Sequence, residues 1–150
     1  RRRHRELVNV WVRKENRNLL RMRKNGVRVP EPLALFRNVL IMDYLGDENG
    51  PSPRLKDLKV ENAEEVYQSL LEQLKLIWQK SRLAHADFSE YNVLIHEGEP
   101  WIIDAGQAVD VAHPSSKEYL VRDVTRLVQW AKRNGVEVEV AAAMLVVLGE

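Results

Sequence analysis

The run His85-Ala86-Asp87-Phe88-Ser89-Glu90-Tyr91-Asn92, followed by the apolar Val93-Leu94-Ile95, constrains this chain more than any other stretch. Glu97-Gly98-Glu99 then reads as a turn, and Trp101-Ile102-Ile103 as a second apolar strand ending at Asp104. Two apolar runs around a Gly-containing turn predict a β-hairpin. A hairpin returns its second strand to where the first began, so Asp87, Asn92 and Asp104 must meet at one edge.

One amide and two carboxylates on such an edge suit in-line phosphoryl transfer. That reaction needs a divalent metal clamped over phosphates and a carboxylate within reach of the acceptor proton. Asp87 is the candidate for the proton. Asn92 and Asp104 offer the hard oxygens that magnesium prefers, and phosphate and water can complete its shell. His85 is expected to brace the loop. Asp and Asn are ordinary loop residues, and H-x-D-x-x-x-x-N alone is a weak signal. The apolar strand behind it and the second Asp before a Gly supply context, in the order that kinase catalytic and metal loops require.

Further motifs sharpen the reading. Arg28-Val29-Pro30-Glu31-Pro32 stands upstream, and His113-Pro114 and Tyr119-Leu120-Val121-Arg122-Asp123-Val124 stand downstream. With these in order, the chain resembles, over essentially its whole length, the RIO family of atypical serine/threonine protein kinases, nearest its type-one, archaeal-like branch. Asp104-Ala105-Gly106-Gln107 replaces the Asp-Phe-Gly of ordinary kinases, itself a RIO-like feature. The resemblance implies an α+β, protein-kinase-like fold. Residues 1–42 would be a remnant of the N-terminal sheet lobe, 43–53 the hinge and a loop, and 54–150 a mainly helical C-terminal lobe carrying the catalytic hairpin. It further implies ATP as substrate, Mg2+ or alternatively Mn2+ as cofactor, and phosphoryl transfer to Ser, including autophosphorylation. ATP hydrolysis through phosphate held transiently on Asp104 is the other implied activity. The pre-ribosomal small subunit, protein and rRNA, is the implied partner. Neither composition nor spacing decides between kinase and ATPase.

Other site residues follow from the same resemblance. Glu15 matches the helix acid that holds a nucleotide-contacting Lys, although local pairing with Arg residues on adjacent turns would also explain it. Met42 would guard the back of the adenine pocket, with Asp43, Tyr44 and Leu45 as the hinge, while core filling explains Met42 equally well. Ser52 and Pro53 could contact nucleotide, or simply cap and open a helix. Asp123 would brace the catalytic-loop backbone, with Arg122 or Arg126 as its alternative surface partners. One departure stands out: no G-x-G-x-x-G occurs, and the chain begins at the helix that a phosphate loop and strand Lys should precede. The expectation is a fragment whose N-terminal lobe is supplied elsewhere, and which alone binds ATP weakly.

In chain order, a helix is expected over about 4–25, with Leu7, Trp11, Leu19 and Met22 as its apolar stripe and Asn25-Gly26 as its stop. Prolines force 27–32 to be extended. Leu33–Phe36 and Val39–Met42 read as two short, apolar and therefore buried strands. A loop over 46–53 leads to a short helix reaching about Val60. Asn62 opens a wide-faced helix to about Arg82 with a capping box, and Ser115 opens another that ends at Asn134-Gly135. A final, almost wholly apolar helix spans roughly 138–148. The roughly ten residues from Gln107 to Ser116 leave no room for a long activation segment, and without the bulky peptide-binding subdomains of ordinary kinases a folded partner is expected rather than a flexible peptide.

Composition bounds the rest. The 150 residues, 45% hydrophobic, can bury one core, and no cysteine is available for disulfides or thiolate metal sites, which fits a reducing cytoplasm. No apolar run is long enough to span a membrane. Residues 1–28 carry eleven Lys or Arg against Glu6 and Glu15, a charge of +9, and residues 43–72 carry −5. The basic segment could face RNA, above all at Arg1-Arg2-Arg3, but such runs are usually solvated helix faces. His4, His96 and His113 stand apart from other ligands, against a zinc site. Three alternatives to a RIO-like kinase remain: an aminoglycoside- or choline-type small-molecule kinase, a non-catalytic assembly scaffold, and an RNA-binding module.

Overall fold

The computed structural model describes the backbone of residues 2–150 and the side chains of residues 11–150, so the side chains of the Arg1-Arg2-Arg3 cluster, His4 and Leu7 lie outside the described residues. Helix α1 (Arg2–Lys24) stops where Asn25-Gly26 predicts. Gly26 is left-handed at φ 82°, and Val27 N–H donates back to the Met22 carbonyl at 3.0 Å. Leu19 and Met22 are fully buried. Trp11 is not, at 55% exposed, because the described part of α1 is buried only from Asn18 onward.

Strands β1 (Pro32–Phe36) and β2 (Val39–Met42) pair antiparallel at the expected positions. Their expected burial is corrected: Leu33, Phe36, Val39 and Ile41 are all at least half exposed. Leu40 and Met42 alternate inward onto the core, while α1 packs against the hairpin and no described layer covers the other face. Apolar content therefore marked strand propensity here rather than burial.

A small pair, β3 (Gly46–Asp47) with β4 (Gly50–Pro51), stands where a loop was expected. The helix expected to follow Ser52 is a single 3-10 turn, Leu55–Asp57. Ser52 does not cap it, since its hydroxyl bonds His96 Nδ1 at 2.8 Å. The Pro53 carbonyl accepts from Ile95 N–H at 2.9 Å and Arg54 bridges Leu94. Those bonds hold 53–54 extended along the catalytic hairpin, which is incompatible with the start of a helix.

Helix α2 (Ala63–Gln79) buries Val66, Leu70, Leu74 and Ile77, with Tyr67, Leu71 and Trp78 beside them. Its capping box does not form, since the Asn62 side chain makes no cap bond. Strands β5 (Leu83–Ala84), β6 (Val93–His96), β7 (Glu99–Ile102) and β8 (Val109–Asp110) follow. The expected hairpin is β6–β7, in register from Val93 opposite Ile102 to His96 opposite Glu99. The β5–β8 pair had no sequence signal, each strand being two residues long. Helix α3 (Ser116–Arg133) ends at Asn134-Gly135 as expected, and Ser115 forms no side-chain cap. Helix α4 (Val140–Leu148) docks Ala143 and Val147 against α2 and α3, leaving Leu145 and Val146 exposed. An almost wholly apolar helix is expected to be buried or docked on a partner, and this one is buried on one face only. Among the described residues no helix is long and apolar enough to cross a membrane.

The core beneath the hairpin joins Leu70, Leu74 and Ile77 to Leu120, Val124 and Leu127, with Val93 and Ile102 packed on top. Glu97 and Gly98 connect β6 to β7 at φ 52° and 79°. Positive φ at both central residues is the type I′ geometry, whose twist matches the flanking strands. Gly98→Ala adds a side chain in the left-handed region and is expected to lower the unfolding free energy by about 1–2 kcal/mol. Urea denaturation checks this, and equal stability would show that the turn does not constrain the hairpin.

Candidate active site

The loop between β5 and β6 is held from one side by α3. Asp123 is fully buried, and its two carboxylate oxygens accept the amides of Ala86 at 2.8 Å and Phe88 at 3.0 Å. Arg122, its neighbour, donates to the Ala86 carbonyl at 2.6 Å. Ala86 itself is left-handed at φ 73°, a conformation costing a non-glycine residue about 1–3 kcal/mol. Two charge-assisted bonds and one from Arg122 hold it there. Burial pushes the Asp123 carboxyl above the usual carboxylate range, and His85, the two amides and Arg122 pull it back.

His85 braces the turn from within. Its Nδ1 accepts the Asp87 amide at 3.1 Å, and its ring meets Phe88 edge-on at 6.2 Å. Its Nε2 is buried without a partner among the described residues. The outcome is that Asp87 points outward, about half exposed, with Arg126 Nη1 3.7 Å from its Oδ1. Farther along the loop, Ser89 Oγ accepts the Tyr91 amide at 3.2 Å, Arg133 pairs with Glu90, and Lys56 lies over the Tyr91 ring.

Asn92 joins the two halves of the site. Its side-chain amide donates to the Asp87 carbonyl at 2.9 Å, and its backbone carbonyl accepts from Ile103 N–H at 3.0 Å. Asp104 is the next residue, and its Oδ1 accepts the Gly106 amide at 3.2 Å. Spending the Asn92 nitrogen on Asp87 leaves its amide oxygen as the available acceptor. That oxygen and the Asp104 carboxylate are the hard donors magnesium takes, and both fit the group. No cluster of three or more His, Asp or Glu exists among the described residues, and a site completed by phosphate and water does not need one.

Glu15 comes to Asp104 from α1. Its carboxyl is pushed up first by burial and then by the Asp104 charge, while the Ala105 and Gly106 amides oppose the shift. Local pairing with arginines is absent from the ion pairs of the described residues. Trp11, Val12, Glu15, Asp104, Gly106 and Gln107 line a concavity of about 250 Å³. A larger one, about 910 Å³, lies among Tyr67, Leu71, Lys132, Glu137, Glu139 and Val146, away from Asp87, Asn92, Asp104 and Glu15.

Asp87 is thus bonded to Asn92, and Asp104 faces Glu15 across the concavity, with the Asn92–Ile103 backbone bond linking the two pairs. Asp43, Tyr44, Leu45, Ser52 and Pro53 make no described hydrogen bond to them: the Asp43 amide donates to Glu31, Leu45 is buried with its carbonyl bonded by Ser52, and Tyr44 is 63% exposed. Met42 packs against the core. Two participants escaped the sequence reading of this site. Arg126 had been weighed only as a partner for Asp123. Asn18 donates from α1 to the carbonyls of Ala105 at 2.9 Å and Ala108 at 3.2 Å. A polar residue one position before Leu19, on the buried stripe, was the available signal.

Comparison with known proteins follows this geometry. The RIO domain family profile matches residues 1–144. The RIO-type serine/threonine-protein kinase Rio1 of Haloferax volcanii is 41% identical over 134 residues, 89% of this chain and 46% of that protein. That of Thermoplasma acidophilum is 37% identical, covering 89% of this chain and 70% of that protein. The chain thus spans about half the length of the first of these relatives. Among solved structures, the Rio2 kinase from Chaetomium thermophilum superposes with a TM-score of 0.77 at 26% identity, over 91% of this chain and 45% of that one. The protein-kinase-like α+β fold is therefore as the sequence implies.

Removing the Asp123 carboxylate leaves two buried amides without acceptors, each costing about 1–3 kcal/mol. Asp123→Ala is expected to lose roughly 2–5 kcal/mol of stability by chemical denaturation. A loss under about 0.5 kcal/mol, the usual range for surface changes, would mean that the loop is held by something other than these bonds.

Proposed function

The chain belongs to the RIO family, and from that premise we propose that it serves ATP-dependent phosphoryl transfer through Asp87, Asn92 and Asp104. The observation that carries this reading is Asn92, bonded through its side chain to Asp87 and through its backbone to the residue before Asp104. One residue thereby keeps the proton acceptor and the metal carboxylate on a common edge.

In this reading an acceptor hydroxyl docks against Asp87. As the hydroxyl oxygen bonds to the γ-phosphorus, the bond to the β,γ-bridging oxygen breaks, ADP leaves with that electron pair, and the proton passes to an Asp87 oxygen. Magnesium, when bound, offsets the charge on the phosphates, and Asn92 and Asp104 are the residues that would hold it. Arg126 keeps the Asp87 carboxylate facing the acceptor. A serine hydroxyl, including one of the protein's own, gives a phosphoserine. Water gives hydrolysis, for which phosphate held on Asp104 is the route the family resemblance suggests.

The same reading assigns Glu15 to a nucleotide-contacting Lys, Met42 to the rear of the adenine pocket, and Asp43, Tyr44 and Leu45 to its edge. Ser52 and Pro53 would flank the ribose. The pre-ribosomal small subunit is the proposed macromolecular partner, supported by the +9 charge of residues 1–28, which suits a polyanion.

Asp87→Asn preserves shape and removes the proton acceptor. Transfer of the γ-phosphate of labelled ATP and formation of ADP are both expected to fall about 10²–10⁴-fold, with the thermal unfolding midpoint unchanged. Turnover within threefold of the native protein would overturn the reading.

A further inference from the structure

The four residues after Asp104 form a turn that closes poorly on its own. The Ala108 amide reaches the Ala105 carbonyl at only 3.3 Å, at the long end for an N–H···O bond. Ala105 is fully buried but carries only a methyl group, so side-chain packing gives the turn little purchase. Backbone polar groups in such a place must find partners. They find them on α1. The Asn18 side-chain nitrogen donates to the Ala105 carbonyl at 2.9 Å and the Ala108 carbonyl at 3.2 Å, bridging the two ends of the turn across 87 and 90 residues of sequence. One helical turn earlier, Glu15 faces the Ala105 and Gly106 amides. Asn18 is itself only 8% exposed, so water offers its amide little alternative.

We propose that Asn18 is the positioning residue for Asp104: its amide fastens the Ala105–Ala108 turn to α1, so that the placement of α1 fixes the direction of the metal carboxylate. Asn18 touches neither substrate nor metal in this scheme and acts only through the turn. The consequence for magnesium rests on the phosphoryl-transfer reading, whereas the tether itself does not.

Two measurements on Asn18→Leu, similar in size but without a donor, separate these. In metal-free and nucleotide-free protein, amide hydrogen exchange over residues 105–108 is expected to quicken at least tenfold while the β6–β7 amides keep their protection. In nucleotide binding, the Mg2+ concentration giving half-maximal ADP affinity is expected to rise about tenfold, with the thermal midpoint of unfolding changed too little to account for it. Unaltered exchange over 105–108 would overturn the tether. Faster exchange with an unshifted Mg2+ requirement would overturn the positioning role. Native protein that binds ADP without any Mg2+ dependence would instead count against the phosphoryl-transfer reading, with the exchange result still deciding the tether. Should Asn18→Leu not fold, Asn18→Ser shortens the donor and is read by the same two measurements.

Discussion

The structure depends on one buried carboxylate. Asp123 takes the amides of the left-handed Ala86 and of Phe88, satisfying two N–H groups that lie away from water. Burying a charge this deeply is costly unless every lone pair is used. Here the two amides each occupy one carboxylate oxygen and Arg122 lies nearby, and still burial holds the carboxyl above its ordinary range. Everything presented by the catalytic loop, including the outward direction of Asp87, follows from α3 having fixed the backbone behind it.

The metal loop is held by a different helix in the complementary sense. Where α3 offers acceptors to amides of the catalytic loop, α1 offers both a donor, Asn18, and an acceptor, Glu15, to the turn after Asp104. Gly106 shows how close that approach is: a Cβ placed there would lie 3.2 Å from a Glu15 carboxylate oxygen. Gly106 has no left-handed φ, and a side chain there would require the Glu15 carboxylate to shift by a few tenths of an ångström. Two carboxyls, Glu15 and Asp104, then face each other across a small concavity, and their mutual repulsion is part of why Glu15 is harder to ionise. A cation entering there would relieve that repulsion, which is the electrostatic reason such a place suits metal-phosphate chemistry.

Legibility in the sequence tracked how local the cause was. The β6–β7 hairpin, the stop at Asn25-Gly26 and the stripes of α2 and α3 were readable because periodicity and turn chemistry are set by near neighbours. Asp87, Asn92 and Asp104 were readable as a set because one hairpin connects them. Ser52 was misread as a cap because its partner, His96, lies 44 residues away. The outward residues of β1 and β2, read as buried, are exposed because hydrophobicity states a preference, and only the surrounding layers decide whether it is met. The bonds from Asn18 and the β5–β8 pair are long-range and carry no local pattern at all.

The hairpin that joins the two loops also sets the tolerance of the site. Val93 stands opposite Ile102, and both are fully buried. Side chains alternate faces along a strand, so a slip of β7 by one residue would turn Ile102 toward solvent and move Asp104 to the other face. The core cost of that slip, about 1.5–3 kcal/mol for one buried apolar side chain, is comparable to that of a few hydrogen bonds. Packing beneath β6 and β7 therefore fixes the register, and the register fixes where Asp104, which follows Ile103, stands relative to Asn92 and Asp87.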